Sequence, residues 1–101
     1  MRMVMVVFRN SLESEVLEVL AAHGVRAYTD LPRVVGIGES GARLNTFESP
    51  GFNSLILTAA ADEDADRLVD GLLRFRAESA VRQHGAAIPL RVFVLPCLQA
   101  V

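Results

Sequence analysis

Few side chains in this 101-residue chain are placed to do chemistry. The run GIGESG at 36–41 has the Gly-x-Gly-x-x-Gly spacing that lets backbone amides approach a pyrophosphate. That use needs a helix opening straight after the glycines. Here the run follows a segment interrupted by Pro32 and leads into more loop residues, so it reads as a turn at the base of a loop. His23, His84 and Cys97 are the soft metal-ligand candidates, and none is paired at the spacing of a structural zinc site. Each has a simpler role: a histidine favourable to a helix C-terminus, or a small buried thiol. Asp62, Glu63, Asp64 and Asp66 lack the period, glycine and closing glutamate of a calcium loop, and read as a solvated helix start. Arg74 and Arg76 flank Phe75, while Arg82 and Arg91 could supply guanidinium forks to an anion. No Ser-His-Asp or Cys-His set is apparent, so the chain reads as a binding protein and not an enzyme.

Composition narrows the classes. Half the residues are apolar (51%) and the net charge is only −2, which excludes a disordered chain. One hundred and one residues make one domain, taken as 1–101. All ten basic residues are Arg, against 12 acidic ones and no basic run, a poor balance for nucleic acid. A single cysteine rules out an internal disulfide and fits a reducing compartment. The opening MRMVMVVFRN is too short in apolar residues for a signal-peptide core or a membrane span, so a cytoplasmic location without membrane insertion is expected.

The elements that must carry these residues follow from periodicity. MVMVVF at 3–8 is an unbroken apolar run, as in a strand buried on both faces. Asn10 and Ser11 compete as caps for a helix over 11–23, Asn10 with Glu13 at capping-box spacing. Leu12, Val16, Val19 and Leu20 form its apolar stripe, and Gly24 ends it. Residues 25–37 read as a polar strand that Pro32 makes either an edge strand or a bulged one. A long loop, 38–52, follows. Asn53–Ala59 is a central strand, Asp62 a cap for a helix over about 63–82, and His84-Gly85 its end. Gly71 costs about 1 kcal/mol against Ala inside that helix. Leu90–Leu95 is the last strand, with Arg91 marking an exposed face.

The order β-α-β-β-α-β predicts an α+β, ferredoxin-like sandwich: a four-stranded antiparallel sheet with two helices on one face. Strands one and three belong in the centre, two and four at the edges. Two helices cover one face only, yet the central strands are apolar on both. Another copy of the same sheet is the expected cover.

Three stretches resemble the PII signal-transduction superfamily and its relative CutA: GVRAYTDLPRVVGIGESG at 24–41, LTAAADEDADRLVDGL at 57–72 and RVFVLP at 91–96. The resemblance implies a homotrimer with the sheets facing one another, effectors in clefts between subunits, and a loop that grips a protein partner such as a membrane transporter. Carried over residue by residue, it implies ligand binding by Gly36, Gly38, Arg82 and Arg91. It implies partner contacts from Glu39, Arg43, Phe47 and Phe52 in the loop 39–52. This chain departs from the pattern where nucleotide phosphates are held. Glu39 and Ser40 stand where Arg and Gln are usual, and HGAAIPLR at 84–91 replaces a glycine-rich run before a Lys. Pro89 has no N–H to give a phosphate. The loop has no Tyr to accept a uridylyl group, and Phe47 cannot do so. The implied ligand is therefore a weakly held adenine nucleotide or another small anion, in a divergent PII-like sensor. The alternative is a CutA-like trimer with a metal-linked role.

Overall fold

The structure, a computed structural model, describes residues 1–37 and 52–101. The apolar run at the start forms β1 (Arg2–Arg9), which pairs antiparallel with β3 (Asn53–Ala60) on one side and β4 (Leu90–Pro96) on the other. The edge strand β2 (Thr29–Val34) joins β3, giving the order β2-β3-β1-β4. The expected central and edge strands are all found in those places. Pro32 allows an edge strand or a bulge; β2 is at the edge, and its register also shifts between Leu31 and Val34. The strand is shorter than 25–37 because residues 25–28 and 35–36 make no ladder.

Two helices, α1 (Glu13–Ala22) and α2 (Asp62–Arg82), cover one face. Neither begins as the sequence predicts. A 3-10 turn, Asn10–Leu12, precedes α1, and neither Asn10 nor Ser11 caps it with a side chain. The Asn10 backbone N–H donates to the Phe52 carbonyl at 2.8 Å, which ties this turn to the residue before β3. At α2 the cap position is Ala61 and Asp62 is the first helical residue. Its carboxylate takes the Met1 ammonium at 2.9 Å, and this bond, with the charge itself, holds its pKa below the usual carboxylate value. Arg2 pairs with Asp66 in the same cluster. The helix ends as expected, with His84 at φ +57° and Gly85 at φ +89° in the left-handed region.

Strand alternation sorts the sheet into two faces. Val4, Val6 and Phe8 from β1, Ile56 from β3 and Leu90 from β4 meet Val16, Leu20, Leu68 and Leu72 from the helices in one buried core. Burying each such side chain is worth about 1.5–3 kcal/mol. The helix-facing side of β3 is less apolar than expected, because Ser54 and Thr58 are buried there. Both hydroxyls are used: Thr58 donates to the Ala27 carbonyl at 2.9 Å, and Ser54 to the Pro32 carbonyl at 3.3 Å. They tie the irregular edge strand to the sheet. On the other face, Met3, Met5, Val7, Leu55, Leu57, Phe93 and Leu95 meet no helix. Phe93 and Leu95 are nearly half exposed, at 49% and 43%.

Candidate functional site

The connections that flank the long loop converge at one end of the sheet. Arg9 of β1 stands opposite Asn53 of β3, and its N–H donates to the Pro89 carbonyl at 3.1 Å. Val34, at the end of β2, also faces Asn53. The turn 83–89, the β1–α1 junction and both stems of the loop therefore meet within a few residues of Arg9.

Of the residues singled out in the sequence, Gly36, Phe52 and Arg91 lie at this end. Gly36 does not serve a left-handed turn. A Cβ there would lie 2.6 Å from Asn53 Nδ2, so the glycine allows the chain to run against that amide. Phe52 is half-buried, with the Arg33 guanidinium 5.7 Å over its ring. Arg91 is exposed on the helix-free face, opposite Val7. Arg9 is two residues further along the same face of β1, which makes the two arginines diagonal neighbours. Gly38, Glu39, Arg43 and Phe47 lie outside the described residues.

Arg82 is elsewhere. It ends α2 on the opposite layer, where it donates to Ser79 Oγ at 2.9 Å and lies 3.9 Å from Glu15. One subunit does not bring Arg82 and Arg91 together. The residues that replace the glycine-rich cradle turn inward: Ile88 and Leu90 are buried in the core. Arg76 closes the segment by donating from Nε to the Leu90 carbonyl at 3.2 Å.

Sequence reasoning missed two arrangements. The first is a carboxyl pair behind the loop stem. Glu13, at the start of α1, is hydrogen-bonded to Asp30 of β2, and Ser54 Oγ lies 3.3 Å from Glu13 Oε2. The shared bond to Asp30, burial and the neighbouring charge raise the Glu13 pKa above its ordinary value, against a smaller opposing effect of Ser54. No sequence pattern links positions 13 and 30. The second is a groove of about 400 Å³ between the helices, where His23 lies across Gly71. His23 Nδ1 is 2.9 Å from the Val19 carbonyl, a bond that sets the ring over α2. The glycine inside the helix was the available signal. Among the described residues, no three His, Cys, Asp or Glu side chains form a metal-ligand set, and no helix is long and apolar enough to cross a membrane.

The nitrogen regulatory protein P-II family profile matches residues 1–101. The chain belongs to the P-II family. Among solved structures, the apo form of CPII from Thiomonas intermedia K12, a nitrogen regulatory PII-like protein, has a TM-score of 0.65 at 18% identity, covering 92% of this chain and 84% of that one. CPII bound to ADP, AMP and bicarbonate has a TM-score of 0.62 at 16% identity, over 93% and 84% of the two chains. A candidate PII-like signaling protein from Thermus thermophilus has a TM-score of 0.58 at 22% identity, over 92% and 82%. No curated protein matches the chain. These likenesses agree with the sheet order and with the resemblance seen in the three sequence stretches.

Proposed function

We propose that this P-II family chain is a homotrimeric regulatory protein and not a catalyst. It binds a small anion or an adenine nucleotide at the loop end of the sheet and acts on a protein partner, such as a membrane transporter, through residues 39–52. The observation that carries the reading is the division of the sheet. One face is covered by helices, while the other is apolar in the middle and bears Arg9 and Arg91 at the end where the loop stems meet. Facing sheets from three copies bury the apolar part and leave the arginines at the boundary between subunits. The anion class is supported by the fork chemistry of Arg and by the ADP, AMP and bicarbonate bound in CPII.

Light scattering combined with a thermal-shift series tests this reading. The expected mass is three times the 11.0 kDa chain. A rise in melting temperature is expected with bicarbonate or an adenine nucleotide, and a smaller rise in Arg91→Ala. A monomer at micromolar concentration, or ligand stabilisation unchanged in Arg91→Ala, would overturn it.

A further inference from the structure

One hydroxyl stands between three elements of the fold. Ser54 Oγ, buried on the helix side of β3, lies 3.3 Å from Glu13 Oε2 at the start of α1 and 3.3 Å from the Pro32 carbonyl in β2. A hydroxyl has one proton to donate, so the two acceptors compete for it and the stronger one takes it. The outcome matters to β2. Its ladder to β3 runs from Thr29 to Leu31 and resumes at Val34, and Pro32 between them has no N–H to give. The Ser54 bond is therefore what ties the shifted stretch to the sheet. A second tie joins Asp30 of β2 to Glu13. Asp30 Oδ1 is buried, and among the described residues no N–H or hydroxyl reaches it, so the carboxylic acid of Glu13 is the donor at hand.

We propose that Glu13, Asp30 and Ser54 form a proton-operated latch on the edge strand: one proton shared by the two carboxyls holds β2 to α1 and β3, and its loss releases both ties together. With the proton in place, the Glu13 O–H donates to Asp30. The neutral carboxyl competes weakly for Ser54, whose proton goes to the Pro32 carbonyl. When the Glu13 O–H bond breaks, the proton passes to solvent and two carboxylates face each other. A charged acceptor makes a bond roughly twice as strong as a neutral one, so Glu13 now draws the Ser54 proton away from Pro32. Like charge drives Asp30 from α1 at the same time. The effects of Asp30 and Ser54 on the Glu13 pKa have the opposite signs that this exchange requires. The other charged groups on the packed elements are turned elsewhere. Arg33 of β2 lies over Phe52, Arg9 of β1 is on the helix-free face, Arg26 lies beyond the far end of β2, and Glu15 of α1 faces Arg82. Release of Pro32 acts on Val34, opposite Asn53, and on Gly36, which lies against the Asn53 amide. Ser54 and Asp30 belong to the helix side of the sheet, so the latch depends neither on the trimer nor on a bound anion.

NMR of the isotope-labelled full chain tests this between about pH 4 and pH 8, the span of a carboxyl of raised pKa. The Glu13 carboxyl and the Pro32 carbonyl carbon are expected to titrate with one shared midpoint above 4.5. Hydrogen-exchange protection of the β2 amides, corrected for intrinsic rates, should fall about tenfold through that midpoint, equivalent to about one hydrogen bond. In Glu13→Gln the amide donates to Asp30 at every pH, so the Pro32 carbon should not titrate and β2 should stay protected. In Ser54→Ala the Glu13 carboxyl should still titrate while the Pro32 carbon stays fixed. A parent chain whose Pro32 carbon does not follow Glu13 would overturn the proposal without any variant. A Pro32 carbon that still titrates in Glu13→Gln would do so equally.

Discussion

A Cβ added at Gly71 would lie 2.3 Å from Cε1 of His23. The helix α2 gives up a better helix former at its middle so that the ring at the end of α1 can rest on its backbone. Propensity alone says that Gly71→Ala stabilises by about 1 kcal/mol. The collision opposes that gain, since the ring must leave the Val19 carbonyl. His23 is exposed, so its ring can turn aside at the cost of the Val19 bond, and Gly71→Ala is expected to lose most of its propensity gain in denaturant unfolding, about one exposed hydrogen bond against about 1 kcal/mol. In a His23→Ala background the full gain should return. A double-mutant cycle with no coupling between the two positions would sink this account.

The Glu13–Asp30 pair makes stability depend on pH. The folded chain binds the Glu13 proton more tightly than the unfolded chain, because its pKa is raised from the ordinary 4.5. Between 4.5 and the raised value the native state holds more protons, so this contribution falls as pH rises through that window. Glu13→Gln supplies a donor to Asp30 without needing a proton. It is expected to add about 0.5–1 kcal/mol at pH 7, about one hydrogen bond, and to flatten that slope. Urea midpoints at pH 4 and pH 7 measure both. A variant that keeps the parent's slope would show that the pair does not share a proton.

His84 holds φ +57° without being a glycine. The left-handed conformation costs an ordinary residue about 1–2 kcal/mol, part of which glycine loses again through its unfolded-state freedom. His84→Gly should therefore raise stability by a few tenths to about 1 kcal/mol on that balance. A fall in melting temperature would mean that the imidazole makes a compensating contact.

Much of this architecture was legible because it depends on patterns local in sequence. The apolar run of β1, the helical stripe through Leu68 and Leu72, and the edge place of the Pro32 strand each follow from a period or a missing N–H. The helix starts were misread because a 3-10 turn takes up Asn10–Leu12 ahead of α1, and because the Asp62 carboxylate is held by the Met1 ammonium and not by the helix N–H groups. Of the residues at the loop end of the sheet, the resemblance had named Gly36, Phe52 and Arg91. It could not name Arg9, because its neighbourhood with Arg91 exists only once β1 lies beside β4. The pairing of Glu13 with Asp30, and of His23 with Gly71, likewise depends on contacts between elements that no single stretch encodes.

The helix-free face predicts its own disruption. Leu57 lies on it, next to Thr29 of the edge strand and Met5 of β1. Leu57→Arg leaves the core residues Ile56 and Thr58 in place and puts a charge at the centre of the proposed interface. The expected result is a folded monomer by light scattering and circular dichroism, with lower stability than the assembled parent. A variant that stays trimeric would place the interface elsewhere.

The last prediction concerns ATP. Tight phosphate binding needs several charge-assisted hydrogen bonds, each worth about 1.5–3 kcal/mol. In this chain, Ile88 and Leu90 are buried where a glycine cradle would expose amides, and Pro89 has no N–H. Arg82, the other candidate cation, is on the opposite layer and engaged with Ser79. Among the described residues at this end, Arg91 is exposed as a cationic donor, enough for a small anion but not for three phosphates. ATP is therefore expected to bind more weakly than about 100 μM, two or more lost bonds below a micromolar site. Bicarbonate or a monophosphate should lose less. Isothermal calorimetry decides it: a low-micromolar ATP affinity would refute the arithmetic, and ATP binding that survives Arg91→Ala would move the cleft away from the loop end of the sheet.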